Sequence, residues 1–388
     1  MQKRVKLSKK IRFDFPLPNL SQIQQDSFNW FLKNGVAEVI KEIFPVEDNT
    51  GRNWELTFKN PRYEKPNKTI EVAERTGSTY DMPWYLDVDI RDKETKETKT
   101  AEIYMGDIPM MTNRGTFIIN GTERVVVNQL TRAEGVFFTK DSHPTTGQTL
   151  GGAKVLPKNG AWLEIGTSRN GVMTVKIDRR RKITVTTLLR VFGLQDNESI
   201  KHAFKDVDTG ETKYIEQTLL KDPSESLNEA YLEIYKKVRP GEPAILDTAK
   251  ALIDNMFFNN RRYNLGKVGR FKINQKFNLD VPNDEQNRIL FIEDLIEIVK
   301  GVIEINNNKR EADDVDHLGN RRVRSVGELL QAQIRIGFLQ MERNKRKNEF
   351  TTKRGIGRTS CVNINKTCNG KGTEFFCIKS TFAVSRSE

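Results

Sequence analysis

The chain has 388 residues, with 64 Lys and Arg against 52 Asp and Glu, a net charge of +12 and a pI near 9.4. That length corresponds to roughly two to three domains. Its 36% hydrophobic content supports buried cores, and no run of about 18 apolar residues occurs, which excludes a membrane-spanning helix. The basic N-terminus has no apolar run behind it, so the reading is of a cytoplasmic protein with no secretory signal and no membrane partner. All three cysteines (Cys361, Cys368, Cys377) lie near the C-terminus, and residues 345–388 carry ten basic against three acidic side chains. Only +5 of the +12 therefore belongs to the body, a mild basicity compatible with nucleic-acid contact.

In chain order, Leu20, Ile23, Ser27, Trp30 and Phe31 recur at helical spacing, and Ser21-Gln22-Ile23-Gln24 has a capping-box pattern, predicting a helix over 21–33. Residues 52–125 read as β-rich, with WELTF (54–58), YLDVDI (85–90), AEIYMG (101–106) and GTFIIN (115–120) separated by polar turns. Asn120-Gly121 predicts a two-residue hairpin, because both residue types tolerate positive φ. A second unit opens near 132. In it GAWLEIG (160–166) and VMTVKID (172–178) flank Asn170-Gly171 as another hairpin. ITVTTLLRVFGL (183–194) begins as strand and turns helical up to Gly193. Helices are predicted at 226–238 and at 247–258 with Asp247 as N-cap. FIEDLIEIVKGVIEI (291–305) reads as a helix or a helix–strand pair. A helix over 326–344 places Val326, Leu329, Leu330, Ile334, Phe338 and Met341 on one face, with Ser325-x-x-Glu328 as its capping box.

Several chemistries have no footing. His143, His202 and His317 form no HExxH pair, and no GxxxxGK[ST] phosphate loop or GxGxxG turn occurs. Asp313-Asp314-x-Asp316 is either a Mg²⁺-binding carboxylate group or a solvated acidic loop, and the second reading is preferred. The cysteine spacings match no zinc site.

Three arginine clusters remain. They are Arg124 to Arg132 after the Asn-Gly turn, Arg179-Arg180-Arg181-Lys182 at the end of a strand, and Arg321-Arg322-Val323-Arg324 before the last helix. Guanidinium suits phosphate because its fork of donors is permanently charged and bidentate. For any single cluster, a solvated face is the alternative. Trp162 is either core or a base-stacking platform.

Longer strings carry a resemblance. MGDIPMMTNRGTFIINGTERVVVNQLTRAEGVFF (105–138), VKIDRRRK (175–182), YKKVRPGEP (235–243), NMFFNNRRYNLGKVGRFKIN (255–274) and DDVDHLGNRRVRSVGELLQAQIRIGFLQMER (313–343) resemble the beta subunit of bacterial multisubunit RNA polymerase, nearly continuously over 11–344. The resemblance implies an α+β fold. Residues 1–131 and 310–344 would form the protrusion, residues 132–309 an inserted lobe, and both would contribute to one jaw of a DNA cleft. It implies a role in DNA-templated RNA synthesis, a nucleotidyl transfer, that this chain alone does not catalyse. No cofactor is expected in this chain, the catalytic Mg²⁺ belonging to a partner subunit. The implied partners are DNA, nascent RNA and the beta prime, alpha, omega and sigma subunits. By resemblance Trp162, Arg132, Asp316 and Arg321 match positions that hold an unpaired guanine of the non-template strand. Arg124 and Val127 match the vicinity of the rifamycin pocket, and Arg179–Lys182 a DNA-facing lobe segment, while Arg322 and Arg324 are counted with the DNA-binding arginines.

The resemblance stops near 345. EFFCIKSTFAVSRSE (374–388) admits a back-translation that reads NFFALNQLSQFLDQ one nucleotide later, the segment the family carries next. Residues 345–388 are therefore expected to be an out-of-frame, unstructured tail. The alternative function is a non-catalytic DNA-binding or assembly module, as a split subunit or pseudogene product.

Overall fold

The computed structural model describes residues 19–47, 54–142, 147–210 and 212–349, the last seven of these as backbone only. Helices and strands are mixed along the chain and the sheets are open, an α+β arrangement. The chain divides into two compact units, Met1–Gln129 with Val323–Glu388, and Leu130–Arg322.

In the first unit, α1 (Gln22–Trp30) runs through a π turn (Phe31–Gly35) directly into α2 (Val36–Ile43). Strands β1 (Val46–Glu47) and β2 (Trp54–Tyr63) follow, then a short helix α3 (Ile70–Thr76), β3 (Asp81–Asp92) and β4 (Thr98–Pro109). The four strands form an antiparallel sheet in the order β1-β2-β3-β4. Alternation puts Leu56 and Phe58 of β2 and Leu86 and Val88 of β3 on its buried face. Against them pack Phe28, Phe31, Val39 and Ile40 of the helical run, and Phe338, whose ring meets Phe44 edge-on at 5.6 Å. β5 (Phe117–Ile119) and β6 (Thr122–Arg124) form the expected hairpin, with Asn120 and Gly121 at φ 51° and 73° as a type I′ turn needs.

The second unit opens with β7 (Gln129–Arg132), which straddles the boundary. It continues through β8 (Gly135–Ser142), β9 (Thr149–Leu156), β10 (Leu163–Thr167), β11 (Met173–Ile177) and β12 (Lys182–Thr184). β8 to β12 form a five-stranded antiparallel meander in the order β12-β11-β10-β9-β8. Helices α4 (Val185–Phe192), α5 (Asn197–Phe204), α6 (Tyr214–Leu220), α7 (Leu227–Val238), α8 (Leu246–Ile253), α9 (Gly266–Phe277) and α10 (Ile292–Asn306) contribute to its single core. In α10, Gly301 is where the ring of Phe138 lies; a Cβ there would sit 2.5 Å from that ring. β13 (Arg321–Arg324) then pairs with β7, and α11 (Val326–Glu349) returns to the first unit's core.

Several expectations are corrected. The first helix does not stop at 33 but continues to Ile43. Ser21 does not cap it, because its hydroxyl hydrogen-bonds Asn19 Oδ1 instead (2.8 Å), and Leu20 and Ile23 are exposed. Asp247 lies in the first turn of α8, whose N-cap is Ile245. Of the two readings of 291–305 the single helix holds, as α10 (Ile292–Asn306). Segment 310–322, expected with the first unit, belongs to the second, held there by Asp313, which accepts from the Phe138 N–H at 2.6 Å. α11 extends to Glu349, past the expected start of the tail. The rest of the expected tail lies outside the described residues.

At the start of α11, the Ser325 hydroxyl meets the Ser27 hydroxyl at 2.6 Å, and Ser27 Oγ accepts from the Gly327 N–H at 2.9 Å. Gly327 is required there, since a Cβ would collide with the Ser27 carbonyl. Gln331 then donates to the Gly35 carbonyl at 3.1 Å, tying α11 to the π turn.

Candidate nucleic-acid interface

Trp162 precedes β10 and is 40% exposed, so it is not core. Its backbone is fixed on both sides: the Trp162 N–H donates to Asp178 Oδ1 (2.8 Å) and its carbonyl accepts from the Asp178 N–H (2.9 Å). Asp178 and Arg179 occupy the left-handed region at φ 47° and 59°, and the Arg180 N–H closes the turn onto the Ile177 carbonyl. An arginine in that region costs on the order of 1 kcal/mol. The consequence is that the Arg179 guanidinium lies over the Trp162 ring, 5.4 Å from its centroid, with Glu164 at 4.0 Å. A flat, exposed indole with a cation fixed on one face is a stacking surface for a π system.

Arg132, Asp316 and Arg321 form a second group. Arg132 ends β7 and Arg321 begins β13, and between them the Ala133 N–H donates to the Asn320 carbonyl at 2.9 Å. Asp316 sits in the loop before β13. Its N–H donates to Asp314 Oδ1 (2.9 Å), and the Asn320 amide donates to the Asp314 carbonyl (2.7 Å). The Gly319 N–H donates to His317 Nδ1 at 3.0 Å. The side chains of Arg132, Asp316 and Arg321 are exposed and have no partner among the described residues. The contacts among the described residues join Trp162 to Arg179 and Arg132 to the Asp316 loop, but do not link the two groups.

The remaining arginines divide by their partners. Arg322 is bidentate on Glu134 (2.7 and 3.0 Å), and Arg324 pairs with Glu328 at 3.5 Å. Arg180 donates to the Val238 carbonyl at the end of α7. Arg181 and Lys182 are exposed and carry no such tie among the described residues. In the first unit Arg124 is half-buried at the end of β6, and Val127 is 69% exposed. The Gln24 amide donates to the Val126 carbonyl between them at 3.4 Å.

The acidic trio does not converge as a metal site would. Asp313 is committed to Lys276 and to the Phe138 N–H, and Asp314 Oδ1 to the Asp316 N–H. Among the described residues no group of three or more His, Cys, Asp or Glu gathers. No helix of the described chain is long and apolar enough to cross a membrane.

Two arginines that sequence reading passed over are fully buried. Arg270 makes two 2.7 Å bonds to Asp294, and Arg190 donates to the Gln195 carbonyl (2.6 Å) and to Asn197, with Asp222 at 3.6 Å. The signal for Arg190 was its place inside LLRVF, with two apolar neighbours on each side.

Comparison with known proteins agrees with these boundaries. The family described as RNA polymerase Rpb2, domain 2, matches residues 134–324, close to the extent of the second unit. The DNA-directed RNA polymerase subunit beta of Chloroflexus aggregans is 44% identical over 86% of this chain and 30% of its own length. Those of Syntrophomonas wolfei and Gloeobacter violaceus are 43% and 42% identical over 86% and 85% of the chain. Most of the chain is thus similar to RNA polymerase beta subunits, and it spans about 30% of the length of the curated relatives it matches.

Proposed function

We propose that this chain serves DNA-templated RNA synthesis by a multisubunit polymerase, gripping nucleic acid rather than performing nucleotidyl transfer. On this reading the first unit is the protrusion and the second the lobe. The Mg²⁺ site belongs to a partner subunit, and DNA, nascent RNA and the other polymerase subunits are the partners. Trp162 stacks on an unpaired base, Asp316 accepts from a guanine N–H, and Arg132 and Arg321 meet phosphate or base edges. Arg181 and Lys182, with Arg179 beside them, contact the backbone. Arg124 and Val127 lie beside the rifamycin pocket. The reading places Arg322, Arg324 and Arg180 in support of the interface, since each is already bonded within the chain.

The observation that carries the reading is the contrast between paired and unpaired cations. Arg322 is neutralised by Glu134, while its neighbour Arg321 and the exposed Arg132 and Asp316 are left to solvent in or beside a loop held by several hydrogen bonds. Unpaired groups held ready for a ligand are arranged this way; a solvated face has no need of the ordered loop.

Trp162 is the one tryptophan between 130 and 322, which makes the test direct. A guanine-containing single-stranded oligonucleotide is expected to quench the chain's emission, and Trp162→Phe to abolish the quenching. Quenching that persists unchanged in Trp162→Phe would contradict the stacking role.

A further inference from the structure

The loop that presents Asp316 is anchored from beneath by a cluster the reading above does not use. Asp313 accepts from the Phe138 N–H at 2.6 Å and pairs with Lys276 of α9. Lys276 also donates to the Val136 carbonyl (2.9 Å) and stands 4.6 Å from the Phe138 ring centroid. Arg310 lies 4.4 Å from the same centroid. One turn earlier on α9, Lys272 donates to the Gly319 carbonyl at 3.0 Å. Burial pushes Lys276 below the usual lysine range, and the Asp313 carboxylate draws it part of the way back.

We infer that Asp313 is a positioning residue: through the Phe138 N–H and Lys276 it fixes the start of the 313–320 loop on β8 and α9, and so sets where Asp316 and Arg321 stand. Asp316 is three residues from Asp313, with one turn between them, and its own carboxylate has no partner among the described residues to hold it. Its direction is therefore inherited from the two ends of the loop. One end is Asp313; the other is Asn320, tied to Ala133 and, through Gly319, to Lys272. An aspartate that must meet a base N–H within a few tenths of an ångström needs both ends fixed.

This inference rests on the guanine reading proposed above. The test measures binding of two single-stranded oligonucleotides differing in one guanine or adenine, by the full chain and its variants, with thermal unfolding followed in parallel. The wild-type chain is expected to prefer guanine. Asp313→Ala is expected to reduce that preference at least about threefold while affinity for the adenine strand stays within about twofold. Asp313→Asn, which keeps an acceptor for the Phe138 N–H, is expected to retain more of the preference. Lys272→Met removes a tie at the other end without entering the core, and is expected to act in the same direction if Asp313→Ala fails to fold. A discriminating wild type with both Asp313→Ala and Lys272→Met unchanged overturns the positioning role alone. A wild type that does not discriminate overturns the guanine reading and this inference with it.

Discussion

At the scale of single residues, the second unit is stabilised by buried charge that its arginine-rich sequence disguises. Arg270 and Asp294 are both essentially inaccessible and satisfy each other twice, with Asn274 taking the Arg270 Nε–H at 2.8 Å and the Phe291 N–H completing Asp294. Removing one partner leaves the other charged and dry, so Asp294→Ala is expected to destabilise the chain by about 3–5 kcal/mol in urea unfolding. A double change to Arg270→Met with Asp294→Leu should recover most of that loss, because the desolvation cost disappears with the pair. Asp222 supplies a pH dependence. Burial pushes its carboxyl up, but hydrogen bonds from Thr186, Ser224 and Thr187 outweigh this and hold it below the usual aspartate value of 3.8. Its folded value is thus depressed, so its contribution is complete above the unfolded value and is lost as pH falls through the folded one. Urea midpoints followed by tryptophan emission should fall below about pH 4, and Asp222→Asn should flatten that fall. Arginine content was legible in the sequence; which arginines are buried was not, because one residue type serves both phosphate contact and internal ion pairs. Arg322 shows the difficulty, since nothing local separates it from Arg321, and its partner Glu134 is far away in sequence.

At the scale of elements, local signals succeeded where the deciding groups are neighbours in the chain. Asn120-Gly121 makes its hairpin, and Ser226 with Glu229 forms a complete capping box for α7. They failed where a distant group decides. Ser21 is drawn away by Asn19, and the π turn that carries the first helix on to Ile43 faces Gln331 of α11. The Asn170-Gly171 loop also differs from its counterpart. The Ser168 N–H bonds the Val172 carbonyl and only Gly171 has positive φ, a three-residue loop rather than a two-residue one. Gly301 tests packing at this scale. Alanine would raise helix propensity by about 1 kcal/mol in α10, yet its Cβ would press on the Phe138 ring held between Lys276 and Arg310. Gly301→Ala is expected to be net destabilising by about 1–3 kcal/mol in the same urea assay, because the ring cannot yield without disturbing the cations beside it. A stabilised variant would show that the site relaxes freely.

At the scale of the whole molecule, the beta-subunit resemblance was legible because long strings match in order, and the expected α+β class came with that resemblance. The edge between the units was less legible. It depends on Asp313 reaching Phe138, a tie across 175 positions that no local pattern encodes. On the proposed function, the unpaired side chains of the second unit, and not its total arginine content, contact nucleic acid. The most direct measurement is the salt dependence of single-stranded DNA affinity for the full chain and for Arg132→Ala with Arg321→Ala, where the basic residues of 345–388 are common to both and cancel. Each lost phosphate contact removes about 0.7 from the slope of log affinity against log salt, so the double variant should bind more weakly, with a slope shallower by about 1 to 1.5. Identical affinity and identical slope in the two proteins would contradict it.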